Sequence, residues 1–361
     1  SDGTIVAVGD AVSDDGDLSG TGNGLAWVVW VDPTSGDIQD SRTYLGPNAS
    51  NPDFLENFST ITHLSDNSGF LLGGYTTPDG LDFNLDNIFL AKISETGTLN
   101  FTKSIGSTAR DGVAKILEAE NNTFFVLGMI QAGGGDVSTY LGGPADAWLV
   151  KCDALGNKIF DVSYGGTNWE FFTDAVYDAQ GNILASAFSR STNGNLSGQT
   201  PSGLTDFWLL KLNQTGEVLA QKLIGGTSND FCLGIDKDAQ GDIVCVGRTE
   251  SNDGAVYGNN GGRDLWVVKF GGVTVNLENQ LENSKIAIFP NPATIYLQIE
   301  VKEQSNSQYK IFNHLGQLVQ QWQSNQITQN IELSNLSNGF YLLQATNNKG
   351  LLEQKKFVIQ R

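Results

Sequence analysis

Carboxylates are the only reactive groups that this sequence supplies in number. It carries 40 Asp and Glu but 2 His and 3 Cys, so chemistry that needs an imidazole base or a thiolate has few places to sit. His63 and His314 have no local motif around them, and a Ser/His/Asp triad would have to be built around His63 alone. No His/Cys set has zinc spacing, and no Gly-rich loop leads from strand to helix to cradle a phosphate. Two acids roughly 5 to 10 Å apart in a cleft could act on a glycosidic bond. The most regular acids are Asp146, Asp206 and Asp264, each two residues before a tryptophan. Strand alternation puts each on the face of its tryptophan, at the strand mouth. A repeated backbone cap there competes with a catalytic or metal role.

A second set of polar positions lies in short Asp/Asn/Gly clusters, which offer Asp15, Asp17, Asp136, Asn195 and Asp253 as candidate binding positions. Carbonyl-rich turns of this kind can take Ca²⁺, but the twelve-residue loop ending in Glu is absent, and solvated turns are the competing reading. No other metal and no other cofactor is called for.

The elements that position these groups repeat. Trp27, Phe89, Trp148, Trp208 and Trp266 recur about every sixty residues, in segments such as Asp-Phe-Trp-Leu-Leu-Lys (206–211) and Asp-Leu-Trp-Val-Val-Lys (264–269). Each unit reads as four short strands. In one unit they are 173–177, 182–188, 206–212 and 217–224, punctuated by Asp178-Ala179-Gln180-Gly181 and Asn213-Gln214-Thr215-Gly216, whose Asp, Asn and Gly suit tight hairpin turns. Four antiparallel strands per unit of this length make one β-propeller blade, whereas a β-helix needs shorter rungs and an Ig-like array longer modules. The strands are apolar on both faces, as expected of sheets packed between sheets.

These units resemble the seven-bladed β-propeller repeats of bacterial secreted proteins. The resemblance rests on Ile224-Gly225-Gly226-Thr227-Ser228-Asn229-Asp230 with Asp238-Ala239-Gln240-Gly241-Asp242, and on Tyr164-Gly165-Gly166 with Asp178 to Asn182. It covers residues 1–272 and implies a fold, not a substrate. Residues 1–9 match the turn and second strand of a unit, and no fourth strand follows Phe270. About five blades are thus visible, the first and last each short of a strand, and further blades are expected before Ser1.

Composition changes after Gly272. Residues 1–272 hold 34 acidic and 14 basic side chains, and residues 273–361 hold 6 and 7. Residues 273–284 read as a polar linker. Beyond it, seven alternating segments between 285 and 361 predict a small seven-stranded Ig-like β-sandwich.

This tail resembles the type A C-terminal sorting domain of the Bacteroidetes type IX secretion system. The matching elements are Phe289-Pro290-Asn291-Pro292, the run Tyr309 to Val319 with Gly316, the run Ile331 to Leu343 with Gly339 and Tyr341, and the basic finish at Lys355 and Lys356. The resemblance implies recognition of residues 285–361, through these positions, by the translocon and its outer-membrane shuttle barrel. It also implies delivery to the cell surface or the medium. Each element has a structural reading as well: the prolines end a strand and protect an edge, the glycines turn, and Tyr341 packs with a tethered hydroxyl.

A net charge of −19 argues against nucleic acid as a partner. No apolar run is long enough to cross a membrane as a helix. The three cysteines lie on strands and read as buried free thiols, with the hairpin setting Cys245 nearer Gly234 than Cys232. Three functions are compatible: a surface protein whose propeller binds a glycan or protein, a secreted polysaccharide hydrolase or lyase using propeller acids, and a structural subunit or trapped cargo of a secretion complex.

Overall fold

The computed structural model describes residues 3–11, 25–46, 56–76, 86–199, 201–238, 241–270, 286–290, 293–301, 306–313, 317–347 and 350–361. They form strands and, besides these, two three-residue 3-10 turns, Glu120–Asn122 and Gly194–Leu196. The chain divides into two compact units, Ser1–Glu278 and Asn279–Arg361. Residues 273–284, read as a linker, lie outside the described residues.

The first unit is a series of five antiparallel meanders. The first sheet contains β1 (Ile5–Ala11), β2 (Leu25–Val31) and β3 (Ile38–Tyr44). The second contains β4 (Glu56–His63), β5 (Phe70–Thr76), β6 (Asn87–Ile93) and β7 (Leu99–Ile105). The third contains β8 (Asp111–Glu118), β9 (Phe124–Ile130), β10 (Asp146–Cys152) and β11 (Lys158–Tyr164). The fourth contains β12 (Glu170–Tyr177), β13 (Ile183–Ser189), β14 (Asp206–Leu212) and β15 (Val218–Ile224), and the fifth contains β16 (Asp230–Lys237), β17 (Ile243–Thr249) and β18 (Asp264–Phe270). Strands pair in chain order within every sheet. The middle three sheets have four strands and the outer two have three among the described residues. The first strands β4, β8, β12 and β16 lie against one another from sheet to sheet, as the innermost strands of propeller blades do.

The aromatic repeat holds this stack together. Phe89, Trp148 and Trp208 are fully buried, and each indole N–H finds an acceptor on the following strand, as a buried indole requires. Trp148 donates to Asp161 Oδ2 at 3.1 Å, Trp208 to Gln221 Oε1 at 3.0 Å, and Trp27 to Ser41 Oγ at 2.7 Å.

A register shift recurs in the innermost strands, at Phe58/Thr60, Val113/Lys115, Phe172/Asp174 and Cys232/Gly234. Such bulges add twist and re-aim side chains. In β16 the result differs from the simple hairpin expectation: Cys245 pairs with Ile235 rather than Gly234, and Cys232 pairs with Gly247. The extra residue brings both cysteines to one face, where the Cys232 thiol donates to Gly234 O at 3.7 Å. All three cysteines are free and buried.

The second unit is a two-sheet sandwich built from β19 (Ile286–Phe289), β20 (Tyr296–Val301), β21 (Ser307–Asn313), β22 (Leu318–Ser324), β23 (Thr328–Glu332), β24 (Gly339–Asn347) and β25 (Gly350–Ile359). One sheet runs β19-β20-β23 and the other β22-β21-β24-β25. Leu297, Ile299, Tyr309, Ile311, Leu343 and Phe357 fill the space between them. They alternate along their strands with less buried residues such as Gln298, Glu300, Gln308 and Lys310, the pattern that gives a strand one core face.

Candidate functional site

Antiparallel pairing gathers four chain positions at one end of each sheet of the first unit: the start of strand one, the end of strand two, the start of strand three and the end of strand four. The chemistry-bearing residues of the repeat collect there. At the start of strand one, Asp230 accepts from Gly226 N at 2.7 Å, Thr249 Oγ1 at 2.5 Å and Ser251 Oγ at 2.9 Å. Glu170 accepts from Gly166 N at 2.8 Å and Ser189 Oγ at 2.7 Å. Asp111 takes Ser107 N at 2.5 Å, and Glu56 takes Gly46 N at 2.6 Å and Thr76 Oγ1 at 3.2 Å. The Gly-Gly-x-x-x-Asp signature therefore ties the end of one sheet to the start of the next.

The regular acids at the start of strand three act as backbone caps. Asp146 Oδ2 accepts from Leu141 N at 2.6 Å, Asp206 Oδ2 from Ser202 N at 2.7 Å and Asp264 Oδ2 from Asn260 N at 2.6 Å. Asp146 and Asp206 are at most 1% exposed. Burial, with the neighbouring carboxylate of Glu170 or Asp230 adding to it, pushes Asp146 up to about 7 and Asp206 up to about 6. An acid sealed from solvent cannot meet a polysaccharide, so these pairs do not furnish a hydrolase site.

The loop positions are also engaged. Asp136 N donates to Gly106 O at 2.7 Å, and Asp136 Oδ2 accepts from Gly106 N at 3.1 Å. Asn195 does the same with Gly165, at 2.8 and 3.0 Å. Asp253 takes Thr227 N at 2.7 Å and Thr227 Oγ1 at 2.8 Å, which holds its carboxyl below the usual range. These side chains staple the strand two to three loops of the third, fourth and fifth sheets onto the neighbouring corner. Asp15 and Asp17 lie outside the described residues. Among the described residues no group of three or more His, Cys, Asp or Glu could hold a metal ion. His63 pairs with Glu95 at 2.6 Å on the surface.

One grouping has no counterpart in the sequence reading. Trp169 stacks on Phe171 (centroids 5.6 Å), Phe171 on Phe188 (5.0 Å), and Phe188 meets Phe231 edge-on (5.0 Å). The Arg248 guanidinium lies 4.5 Å over the Phe231 ring. All five are partly buried, and they sit on or beside the innermost strands β12 and β16 and their partners β13 and β17. The equivalent pairs in the other sheets are Asn57 with Tyr75 and Gly112 with Met129, so no repeat signal marked the position.

In the second unit, Pro290 is exposed and follows a cis peptide bond. The chain then runs alongside β25: Ala293 N donates to Val358 O at 2.7 Å and Gln360 N to Ala293 O at 2.9 Å. Arg361 caps Leu333 O at 2.6 Å and Thr294 O at 3.1 Å. Gly339 has φ 152°, and Tyr341 stacks on Phe357 (centroids 5.6 Å) while its hydroxyl donates to Ser337 O at 2.8 Å. Lys355 is partly buried. Asn291, Pro292, Gly316 and the Lys356 side chain lie outside the described residues.

Residues 287–360 match the family model described as a secretion system C-terminal sorting domain. No protein of curated function matches the chain. Among solved structures, PorZ, a surface component of the type IX secretion system of Porphyromonas gingivalis, is 14% identical over 94% of this chain and 43% of its own, with a TM-score of 0.35. This chain thus spans less than half the length of PorZ. The extracellular domain of a putative hybrid two-component system from B. thetaiotaomicron is 12% identical over 98% and 55%, with a TM-score of 0.33. A putative exo-β-1,3-galactanase from Bifidobacterium bifidum is 9% identical over 74% and 85%, with a TM-score of 0.40. Likenesses this remote transfer no activity. Among the described residues no helix is long and apolar enough to cross a membrane. With the four tail elements in register and the family model on the same residues, residues 287–360 are a C-terminal sorting domain, which marks the chain for export to the cell surface or the medium.

Proposed function

We propose that the chain is an exported binding protein. Residues 285–361 hand it to the translocon through an outer-membrane shuttle barrel, and the propeller-type unit binds a glycan or protein outside the cell. The positions that carry sorting recognition are Pro290, Asn291, Pro292, Gly316, Gly339, Tyr341, Lys355 and Lys356.

The observation that carries the binding reading is the partly exposed stack of Trp169, Phe171, Phe188 and Phe231 under Arg248. Ring faces pack against the C–H faces of sugars or apolar peptide groups, and a guanidinium beside them adds directed donors. The loops around this end are stapled by Asp136, Asn195 and Asp253, and a preformed surface loses less entropy on binding.

Titration calorimetry of the purified full chain against bacterial and host polysaccharides and surface proteins tests this. Saturable binding that weakens about tenfold or more in Phe231→Ala supports it. Binding unaffected by Phe231→Ala and Arg248→Ala, or cleavage of a polysaccharide, contradicts it.

A further inference from the structure

Asp206 and Asp146 each have one carboxyl oxygen, Oδ1, that is buried and has no hydrogen-bond partner. In both, Oδ2 is capped by backbone N–H while Oδ1 is left over. An uncompensated buried oxygen is costly, yet the arrangement occurs at two successive sheet junctions.

The surroundings identify what is missing. A methyl group added at Gly225 would lie 2.2 Å from Asp206 Oδ1 and 2.6 Å from Asp230 Oδ2. The two carboxyl oxygens therefore flank one point that cannot hold even a methyl group. Asp230 Oδ2 already accepts from Gly226 N and Ser251 Oγ, and the other groups nearby are hydroxyls and amides. The guanidinium of Arg190 is directed to Thr205 Oγ1 at 2.8 Å, and Glu250 is paired with Arg263. A divalent cation, which takes six or more oxygen ligands at 2.0 to 2.6 Å, has neither the room nor the donors. A proton has both.

We propose that the junction between the fourth and fifth sheets is closed by a carboxyl pair that shares one proton, Asp206 Oδ1–H donating to Asp230 Oδ2, and that Asp146, whose Oδ1 is orphaned in the same way at the preceding junction, carries its own proton there. Two further junctions in the same chain differ at the strand-three position. Between the second and third sheets the strand-three position is Asn87, whose Oδ1 flanks the corresponding point beside Asp111 Oδ2; burial pushes Asp111 up to about 7 as well, so this junction holds one buried acid in place of two. Between the first and second sheets the position is Leu25, and Glu56 there has no acid in that place to face.

The consequence is a clasp that weakens as pH rises. Both acids are raised in the folded chain, Asp206 to about 6 and Asp146 to about 7, from 3.8. A raised acid stabilises the fold fully below its unfolded value and loses that contribution as pH climbs through the folded one, so the window runs from about pH 4 to above pH 7. The groups facing these acids are Asp230 for Asp206, and Glu170 with Tyr140 for Asp146. None is a cation that would reverse the sign.

Thermal unfolding of the full chain at pH 5 and pH 8, with and without millimolar Ca²⁺, tests the clasp. The midpoint is expected to be roughly 5 to 10 °C lower at pH 8. The loss should be reduced in Asp206→Asn and Asp146→Asn, whose amides donate at any pH, and unchanged in the exposed control Asp37→Asn, which corrects for net charge. Infrared spectra of the wild type near pH 5.5 should show a protonated carboxyl band that is weaker in the double variant. The proposal is overturned by a missing band, by Asn variants that lose stability at pH 8 relative to wild type, or by Ca²⁺ stabilisation that Asp206→Asn abolishes.

Discussion

The Tyr164 hydroxyl donates to the Gly216 carbonyl at 2.5 Å, joining the end of β11 in the third sheet to the turn between β14 and β15 in the fourth. Tyr44 makes the equivalent bond to Gly97 O at 2.8 Å between the first and second sheets. Burial pushes both phenols up, Tyr44 to about 12. Tyr164→Phe keeps the ring but strands a buried carbonyl, and should cost about 1 to 3 kcal/mol in denaturant unfolding. No loss would mean that the bond contributes nothing to holding the sheets together.

Gly225 is a second such contact. An alanine there would drive its methyl into the Asp206–Asp230 pair at 2.2 Å and 2.6 Å, where both neighbours are fixed by backbone bonds. Gly225→Ala should destabilise the first unit by about 2 kcal/mol or more. Gly9→Ala, where the methyl meets nothing within 4 Å, should be close to neutral in the same assay.

The thiols give a chemical readout of packing. Cys152, Cys232 and Cys245 are 0% exposed, and burial pushes the Cys152 thiol up to about 12. Since the thiolate is the reactive form, an aromatic disulfide reagent should titrate no thiol in the native protein at pH 8 and 3 after unfolding. Fast reaction of the native protein would show that the buried faces open.

Much of this was legible in the residues because tryptophan, glycine and aspartate make narrow physical demands. Trp148 and Trp208 need burial and an acceptor, and the Gly225-Gly226-x-x-x-Asp230 run leaves room for a carboxylate only where a side chain is missing. The same holds for the tail, where Gly339 and Tyr341 occupy a turn and a core position. The aromatic stack was not legible. Its register position is filled by Asn57, Gly112, Phe171 and Phe231 in successive sheets, and stacking depends on packing between sheets that no local pattern encodes. The bulge at Cys232/Gly234 was equally silent, because an extra residue in a strand leaves no mark when apolar residues stand on both faces.

Arg361 should matter to the sorting domain without touching its core. Its guanidinium satisfies the carbonyls of Leu333 and Thr294, so Arg361→Ala should lower the stability of the second unit by about 1 to 2 kcal/mol. A lower melting midpoint in that unit, with the first unit unchanged, is the expected calorimetric result.

Export through residues 285–361 is tested most directly by expressing the full chain and a form lacking those residues behind one signal peptide in a type IX-competent host, then fractionating the cells. The full chain should reach the surface or the medium, while the truncated form should remain in the periplasm as a folded, protease-resistant propeller-type unit. Surface display of the truncated form at the level of the full chain would contradict the account.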